Sequence, residues 1–120
     1  MESLKLCESD YRFMSVVWEN EPLTSGRLVI LCANHLGWKK PTTYTVLRKL
    51  CEKGLVRNAG TVVTALVPKK MVQSSESENF IKRTFSGSLP MFLSSFLNDK
   101  NLTSHEAEEL KRVIDEHKER

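Results

Sequence analysis

The sequence has few cysteines and contains none of the short motifs that carry enzymatic chemistry. Its 120 residues include three cysteines, Cys7, Cys32 and Cys51, and no two of them form a C-x-x-C pair. A metal site or a thiol nucleophile needs clustered partners, and none lies near these cysteines. The G-x-S-x-G, H-E-x-x-H, P-loop and glycine-rich dinucleotide patterns are also absent. We therefore expect structural thiols, no metal, no cofactor and no enzymatic activity.

Long apolar runs are absent as well. No run approaches the ~20 residues that a membrane-spanning helix requires. The composition, 40% hydrophobic and 28% charged, is ordinary for a globular protein. An odd number of widely spaced cysteines does not suit the disulfide framework of a secreted domain. We expect a cytoplasmic protein with one compact core and an appendage.

The positive charge is concentrated in one part of the chain. The net charge is +3, but residues 1–71 carry +5 and residues 72–120 carry −2. Residues 27–57 hold seven cations and a single acid, Glu52. Cations gathered in one structural unit favour a polyanionic partner over a uniformly basic surface.

Three helices are expected in the first half of the chain. Apolar residues at helical spacing predict the first over residues 9–20, and Pro22 ends it, leaving a short extended link through Leu23. Thr24 is a suitable N-cap for the second helix, residues 25–36, which Gly37 ends. Pro41 suits the first position of the third, about residues 41–53, because its missing N–H would have no intrahelical partner there.

The third helix has two chemically different faces. Thr43, Leu47 and Leu50 form one stripe, as a buried face requires. The outer side carries hydroxyl-bearing and cationic residues, namely Thr42, Thr45, Arg48, Lys49 and Lys53. All of them can donate hydrogen bonds, which suits an anionic partner; an ordinary solvated face is the alternative.

A β-hairpin is expected after these helices. Two β-branched runs, residues 55–58 and 61–67, are separated by Asn58, Ala59 and Gly60, with Gly60 at positive φ. Helices joined by a tight glycine-containing turn and followed by a hairpin are typical of a winged helix-turn-helix. In that fold the later helix of the pair enters the DNA major groove. We therefore predict a mostly α protein with a small β-hairpin (α+β), in which residues 1–71 form a winged-helix DNA-binding domain.

The predicted contacts with double-stranded DNA fall into two classes. Phosphate contacts, which give salt-dependent affinity, are assigned to Lys39, Lys40, Arg48, Lys49 and Arg57. Contacts with base edges are assigned to Thr42 and Thr45, with Tyr44 and Arg48 as further candidates. The hairpin carries Arg57 as its only cation, so we expect it to touch the DNA backbone rather than to read sequence.

Residues 72–120 predict three short helices that form a dimerisation region. Four of the five phenylalanines occur here, and burial of a large apolar side chain contributes about 1.5–3 kcal/mol. Because such short helices have little core of their own, we expect a second copy of the chain to cover them, with the winged helix of the same chain as the alternative. The polar stretch QSSESE, residues 73–78, is either a hinge or the first turn of the next helix. The predicted dimerisation residues are Phe80, Phe85, Leu89, Phe92, Phe96, Leu110 and Ile114.

Four segments, taken together, resemble the BlaI/MecI penicillinase-repressor family. They are FMSVVWENEPLTS, GWKKPTTYTVLRKLCEKGLV, ENFIKRTFSGSLPMFLSSF and LTSHEAEELKRVID, in the same order and spacing, and they span roughly residues 6–116. The resemblance implies a homodimeric transcriptional repressor. Its winged helix would bind a short inverted-repeat operator, and its C-terminal helices would interlock in the dimer.

The resemblance also implies a way in which the repressor is released. In the best-known members, a membrane sensor protease triggers cleavage at an Asn-Phe bond in the dimerisation segment, and the matching bond here is Asn79–Phe80. Two departures from the family pattern matter. Tyr44 stands where the characterised β-lactam repressors carry a basic residue, which puts a shared operator sequence in doubt. No cysteine follows Cys51, which disfavours the copper sensing of another branch.

A different class of function is open on the residues alone. A winged-helix dimer can serve as a protein-interaction adaptor without binding DNA. The concentration of cations between residues 27 and 57 argues against that reading.

Overall fold

The computed structural model describes residues 5–119, which are mostly helical with one small antiparallel sheet. This arrangement confirms the predicted α+β class and the winged helix-turn-helix. The helices are α1 Glu8–Asn20, α2 Ser25–Leu36, α3 Lys40–Glu52, α4 Lys69–Phe85, α5 Leu89–Leu97 and α6 Ser104–Glu116. The strands are β1 Leu23–Thr24, β2 Val56–Ala59 and β3 Val62–Ala65.

Local chemistry sets both ends of α2. Thr24 Oγ1 accepts a hydrogen bond from the Arg27 N–H at 3.1 Å, which satisfies an amide that the first helical turn leaves without a backbone partner. Gly37 adopts a φ of 70°, and the helix ends there because a left-handed residue breaks the helical ladder. The predicted bounds of α2 are confirmed, and α1 and α3 each begin one residue earlier than predicted.

The sheet has three strands, with β3 between β1 and β2. Leu23 pairs with Val63, so the segment expected to be a mere extended link adds a strand to the hairpin. A two-residue strand has no periodicity of its own, and only its pairing with β3 defines it. The sequence therefore predicted the extended backbone but missed the third strand.

The hairpin turn lies later in the chain than predicted. Asn58 pairs with Val63 and Ala59 with Val62, so placing Asn58 and Ala59 in the loop was wrong. The turn is formed by Gly60 and Thr61, with φ values of 57° and 65°. Two central residues with positive φ match the twist of paired strands, but a β-branched residue such as Thr61 rarely adopts that conformation. Because threonine is unusual in such a turn, the sequence did not indicate that Thr61 is one of its central residues.

The N-terminal unit, which ends at Phe80, has a core to which α1, α2, α3, the start of α4 and the sheet all contribute. Its buried apolar residues are Phe13, Met14, Val16, Val17, Leu23, Leu28, Leu31, Cys32, Leu47, Leu50, Leu55, Val56, Val63 and Val72. The ring of Trp18 packs against this core, and its Nε1–H donates a hydrogen bond to the Val67 carbonyl at 3.0 Å. Trp18 is therefore a packing residue, and its position four residues after Met14 places it on the same side of α1.

The chain divides into two compact units between Phe80 and Ile81, within α4. Because α4 begins at Lys69, the QSSESE stretch lies in its interior and is neither a hinge nor a first turn. Val72, in the first turns of α4, belongs to the core of the N-terminal unit. The predicted boundary between residues 71 and 72 separates a DNA-binding part from a dimerisation part, and that functional division stays a prediction.

The C-terminal unit contains the end of α4 together with α5 and α6. The Phe92 ring contacts Phe85 edge-on, with centroids 5.5 Å apart, and Phe96 at 5.9 Å. Even so, no side chain among residues 73–119 is fully buried. These helices therefore leave much of their apolar surface open to solvent.

Candidate nucleic-acid interface

Helix α3 presents one face to the core and the other to solvent. Thr43, Leu47 and Leu50 are buried, which confirms the stripe predicted for this helix. Thr42, Thr45 and Arg48 are exposed, since a rotation of about 100° per residue carries them to the far side. The outer face is thus formed by the hydroxyl and cationic groups that the sequence singled out.

The structure leaves seven of the eight predicted DNA-binding residues exposed: Lys39, Lys40, Thr42, Thr45, Arg48, Lys49 and Arg57. All except Arg57, which lies on β2, belong to α3 or to its N-cap. Tyr44 differs because it is half-buried and packs against the core. Its hydroxyl lies 3.5 Å from Ser25 Oγ, at the start of α2. Tyr44 therefore lies at the edge of the exposed face rather than at its centre.

The first turn of α3 is electropositive. Lys39 is the N-cap and supplies no side-chain acceptor, and no acidic residue lies in that turn. The ammonium groups of Lys39 and Lys40 are both on the exposed surface. The aligned peptide dipoles add partial positive charge at this end of the helix, so the first turn is suited to receive a phosphate group.

Two hydrogen bonds tie the hairpin, or wing, to the start of α2 and to the residue that follows α1. The carbonyl of Thr61 accepts a hydrogen bond from the Ser25 N–H at 2.8 Å. Glu21 Oε1 accepts one from the Ala65 N–H, also at 2.8 Å. Arg57 is exposed on β2. These contacts hold the wing in a defined position relative to α2.

Sequence reasoning missed a residue that bears on this face, Asp10 of α1. The Asp10 side chain is only 2% exposed, and its Oδ1 lies 2.8 Å from Lys49 Nζ. The hydrogen bond with Asp10 raises the pKa of Lys49 above its ordinary value. The sequence offered one signal: Asp10 precedes Met14 and Val17 by four and seven residues, which places it on the buried stripe of α1.

The cysteines behave as packing residues in two of three positions. Cys32 is buried and Cys51 half-buried, whereas Cys7 is exposed. Burial raises the pKa of the Cys32 and Cys51 thiols, so both stay protonated at neutral pH. Within residues 5–119, no group of three His, Cys, Asp or Glu residues is arranged to hold a metal ion. None of the helices described is long and apolar enough to cross a membrane.

The predicted dimerisation residues all keep exposed apolar surface. Phe85 and Phe92 are half-buried, and the others, Phe80, Leu89, Phe96, Leu110 and Ile114, are exposed. Phe96 and Ile114, for example, are each 54% exposed. Met91 of α5 and Val113 of α6 are also exposed apolar residues, and neither was predicted as a dimerisation residue. The signal was present for Val113, which belongs to the helical stripe that contains Leu110 and Ile114.

The Asn79–Phe80 bond lies inside α4, and both side chains are exposed. A protease binds its substrate in an extended conformation, so a helical bond must first unfold locally. The exposed Phe80 side chain is accessible to a protease, whereas the hydrogen bonds of α4 oppose the local unfolding that cleavage requires.

Comparison with known proteins gives consistent matches. The family model for the penicillinase repressor matches residues 6–116. The chain is 22% identical to the penicillinase repressor of Bacillus licheniformis over 120 aligned residues. This alignment covers 97% of this chain and 94% of that protein. It is 20% identical over 117 residues to the methicillin resistance regulatory protein MecI of Staphylococcus aureus (strain Mu50), covering 94% and 95%. The methicillin resistance regulatory protein MecI of Staphylococcus epidermidis is 19% identical over 117 residues, and the alignment covers 94% of this chain and 95% of that protein.

Proposed function

Because this chain belongs to the penicillinase repressor family, whose model matches residues 6–116, we propose that it is a homodimeric DNA-binding transcriptional repressor. Helix α3 enters the major groove of an inverted-repeat operator, and the C-terminal helices join two copies. Since a repressor acts where the chromosome is, the proposal includes a cytoplasmic location.

The observation that carries the proposal is the outer face of α3. Hydroxyl and cationic groups gather on it opposite a buried apolar stripe, and the uncapped first turn adds positive charge. A major groove about 12 Å wide admits a helix of this size. Proteins that bind DNA place such a face against phosphates and base edges together.

The cationic residues of this face are proposed to contact phosphates, and the threonines are proposed to contact bases. Lys39, Lys40, Arg48 and Arg57 neutralise phosphates, which gives affinity that falls with salt but carries no sequence information. Thr42 and Thr45 are short, and each offers a hydroxyl and a methyl group that suit base edges and the thymine methyl. Tyr44, at the edge of the face, is placed to reach a base only at the margin of the site.

Dimerisation supplies the second α3. The apolar surface of α5 and α6, which includes Phe96 and Ile114, favours association because removing it from water lowers the free energy. A two-fold axis presents the two recognition helices in the symmetry of a palindromic site. Linking two weak binding units raises the overall affinity by about 10²–10⁴-fold.

Release by proteolysis is the proposed regulatory step. Cleavage of the Asn79–Phe80 bond separates the DNA-binding half from α5 and α6. The resulting monomers lose the additional DNA affinity that two linked recognition helices provide. Incubation with a membrane sensor protease of the family should give two fragments whose masses match cleavage at this bond. A Phe80→Ala variant is the control, and intact wild-type protein after incubation would remove this part of the proposal.

Selection of bound fragments from a random pool of duplex DNA tests the main proposal. We expect an inverted repeat whose half-sites are about 10 base pairs, one helical turn, apart or a multiple of that. Thr45→Ala should weaken binding to the selected site by about tenfold and relax one position of the sequence. Thr84→Ala, which makes the same change at an exposed position of α4 in the C-terminal unit, is the matched control.

A chain that binds no duplex DNA even at low salt would overturn the proposal. That result would favour the protein-interaction adaptor, in which the same fold presents a surface to another protein.

A further inference from the structure

An ion pair between the exposed Lys49 and the buried Asp10 links α3 to α1 in the N-terminal unit. Lys49 Nζ lies 2.8 Å from Asp10 Oδ1, and the side chains are 45% and 2% exposed. Apart from this ion pair, Asp10 Oδ1 has no hydrogen-bond partner in the part of the chain that the structure describes. The carboxylate is therefore withdrawn from water and depends on the Lys49 ammonium for compensation.

We propose that Lys49 is a positioning residue, which fixes α3 on α1 through Asp10 and contributes no phosphate contact of its own. The DNA part of this proposal rests on the proposed function, whereas the positioning part does not. It replaces the phosphate contact that the sequence predicted for Lys49.

The place of Lys49 in α3 explains what the ion pair positions. Lys49 follows Thr45 by four residues, so the two side chains lie one helical turn apart on the same side of α3. Holding Lys49 against α1 therefore fixes the rotation of α3 about its own axis. That rotation decides whether Thr45 points straight out from the N-terminal unit.

Electrostatics separate Lys49 from the other cations of the outer face. Its charge and that of Asp10 cancel over 2.8 Å. A phosphate that drew Lys49 away would leave a buried carboxylate unpaired, which is strongly unfavourable. Within residues 5–119, no ion pair involves Lys40 or Arg48. Those two can meet a phosphate without abandoning an internal partner.

The salt dependence of DNA binding tests the second half of the proposal. Each phosphate contact contributes about 0.9 to the slope of log affinity against log salt concentration. Lys40→Met, which removes a predicted phosphate contact, should reduce the slope by about that amount. Lys49→Met should weaken binding by the same factor at every salt concentration and leave the slope unchanged. Asp10→Asn should steepen the slope by about 0.9, because it frees the Lys49 ammonium. A slope reduced in Lys49→Met as in Lys40→Met would overturn the proposal.

Thermal unfolding of the same full-length variants tests the first half without DNA. Lys49→Met should lower the midpoint by about 4 °C or more, because it leaves the buried Asp10 carboxylate without its partner. The double variant Asp10→Asn, Lys49→Met should unfold above the midpoint expected from adding the two single changes, because each single change leaves one charge unpaired and the double variant leaves none. Lys53→Met, at the exposed C-cap of α3, should combine additively with Asp10→Asn.

Additive effects of Asp10→Asn and Lys49→Met would overturn the positioning role. A wild-type chain that bound no DNA would instead overturn the proposed function and the salt argument with it. The unfolding measurements would still decide whether the ion pair holds α3 on α1, so the two failures are distinguishable.

Discussion

At the scale of single residues, one feature of the N-terminal unit is a buried hydroxyl group on α3. Thr43 is fully buried on α3, and its hydroxyl has no hydrogen-bond partner among the residues described. Burial raises the pKa of the Cys32 thiol, and the Thr43 hydroxyl partly offsets that rise, but the hydroxyl forms no hydrogen bond with any residue described. A hydroxyl in this environment is desolvated without compensation.

Replacement of that hydroxyl should therefore stabilise the protein. Thr43→Val keeps the branched shape and removes the unpartnered group, so we expect the free energy of unfolding to rise by about 0.5–1 kcal/mol. Chemical denaturation measures the change. Thr42→Val, at the exposed neighbouring position, should change it by less than about 0.5 kcal/mol. A loss of stability in Thr43→Val would mean that the hydroxyl is satisfied in solution.

The Lys49 ammonium gives a pH-dependent contribution to stability. The hydrogen bond with Asp10, and the nearby Cys7 as a smaller cause, raise the pKa of Lys49 in the folded protein above its ordinary value of 10.5. Folding is therefore favoured by this group at all pH values below about 10.5, and the contribution disappears as the pH rises through the higher pKa of the folded state. Above that pH the Asp10 carboxylate has no positive partner.

Alkaline unfolding of wild type and Lys49→Met measures this contribution. We expect the difference in free energy of unfolding between them to be constant from neutral pH to about pH 10 and to shrink at higher pH. The comparison cancels the titration of other groups. A difference that stayed constant above pH 11 would show that Lys49 does not titrate as part of the pair.

At the scale of elements, the wing turn combines an ordinary and a strained residue. Gly60 and Thr61 both have positive φ. This conformation is free for glycine and costs an L residue roughly 1–2 kcal/mol. The hydrogen bond from the Ser25 N–H to the Thr61 carbonyl, at 2.8 Å, holds the strained residue in place.

Two substitutions in this turn should act in opposite directions. Thr61→Asn should raise the free energy of unfolding by about 0.5–1 kcal/mol, because asparagine tolerates the left-handed region better than a β-branched residue. Gly60→Ala should lower it by about 1–2 kcal/mol through backbone strain alone, since an added Cβ would meet no atom within 4 Å. Denaturation curves of both variants would be inconsistent with this account if the changes had the same sign.

The elements also differ in how well the sequence predicted them. Both ends of α2 carry chemical signals, the Thr24 cap and Gly37, and its bounds were predicted correctly. The start of α4 at Lys69 was missed because its first turns are polar and have little apolar periodicity. β1 was missed because only pairing with β3 makes two residues a strand.

At the scale of the whole molecule, the exposed apolar face of the C-terminal unit points to association. Phe96→Asp combined with Ile114→Asp places two charges where a partner would bury apolar surface, so the molar mass in solution should fall from that of a dimer to that of a monomer. Analytical ultracentrifugation measures the mass. Affinity for the selected DNA should fall by about 100-fold or more. Ser95→Asp, at an exposed polar position of α5, is the control.

A wild-type chain that is monomeric at micromolar concentration would contradict this prediction. The apolar residues of α5 and α6 would then be covered in another way, and the proposed inverted-repeat operator would lose its structural basis.

The sequence by itself determined where most of the helices lie, which face of α3 is apolar, and where cations gather. These properties depend on neighbours three or four residues apart, and such spacing is visible in the chain. Only the tertiary structure decided that Asp10 meets Lys49, that Tyr44 turns toward Ser25, and that Leu23 joins the sheet. Each of these contacts joins residues far apart in sequence, so its energy depends on packing that no local pattern encodes. Lys49 shows the consequence, because a cation on the outer face of a helix looks the same in sequence whether it faces solvent, a phosphate or a buried carboxylate.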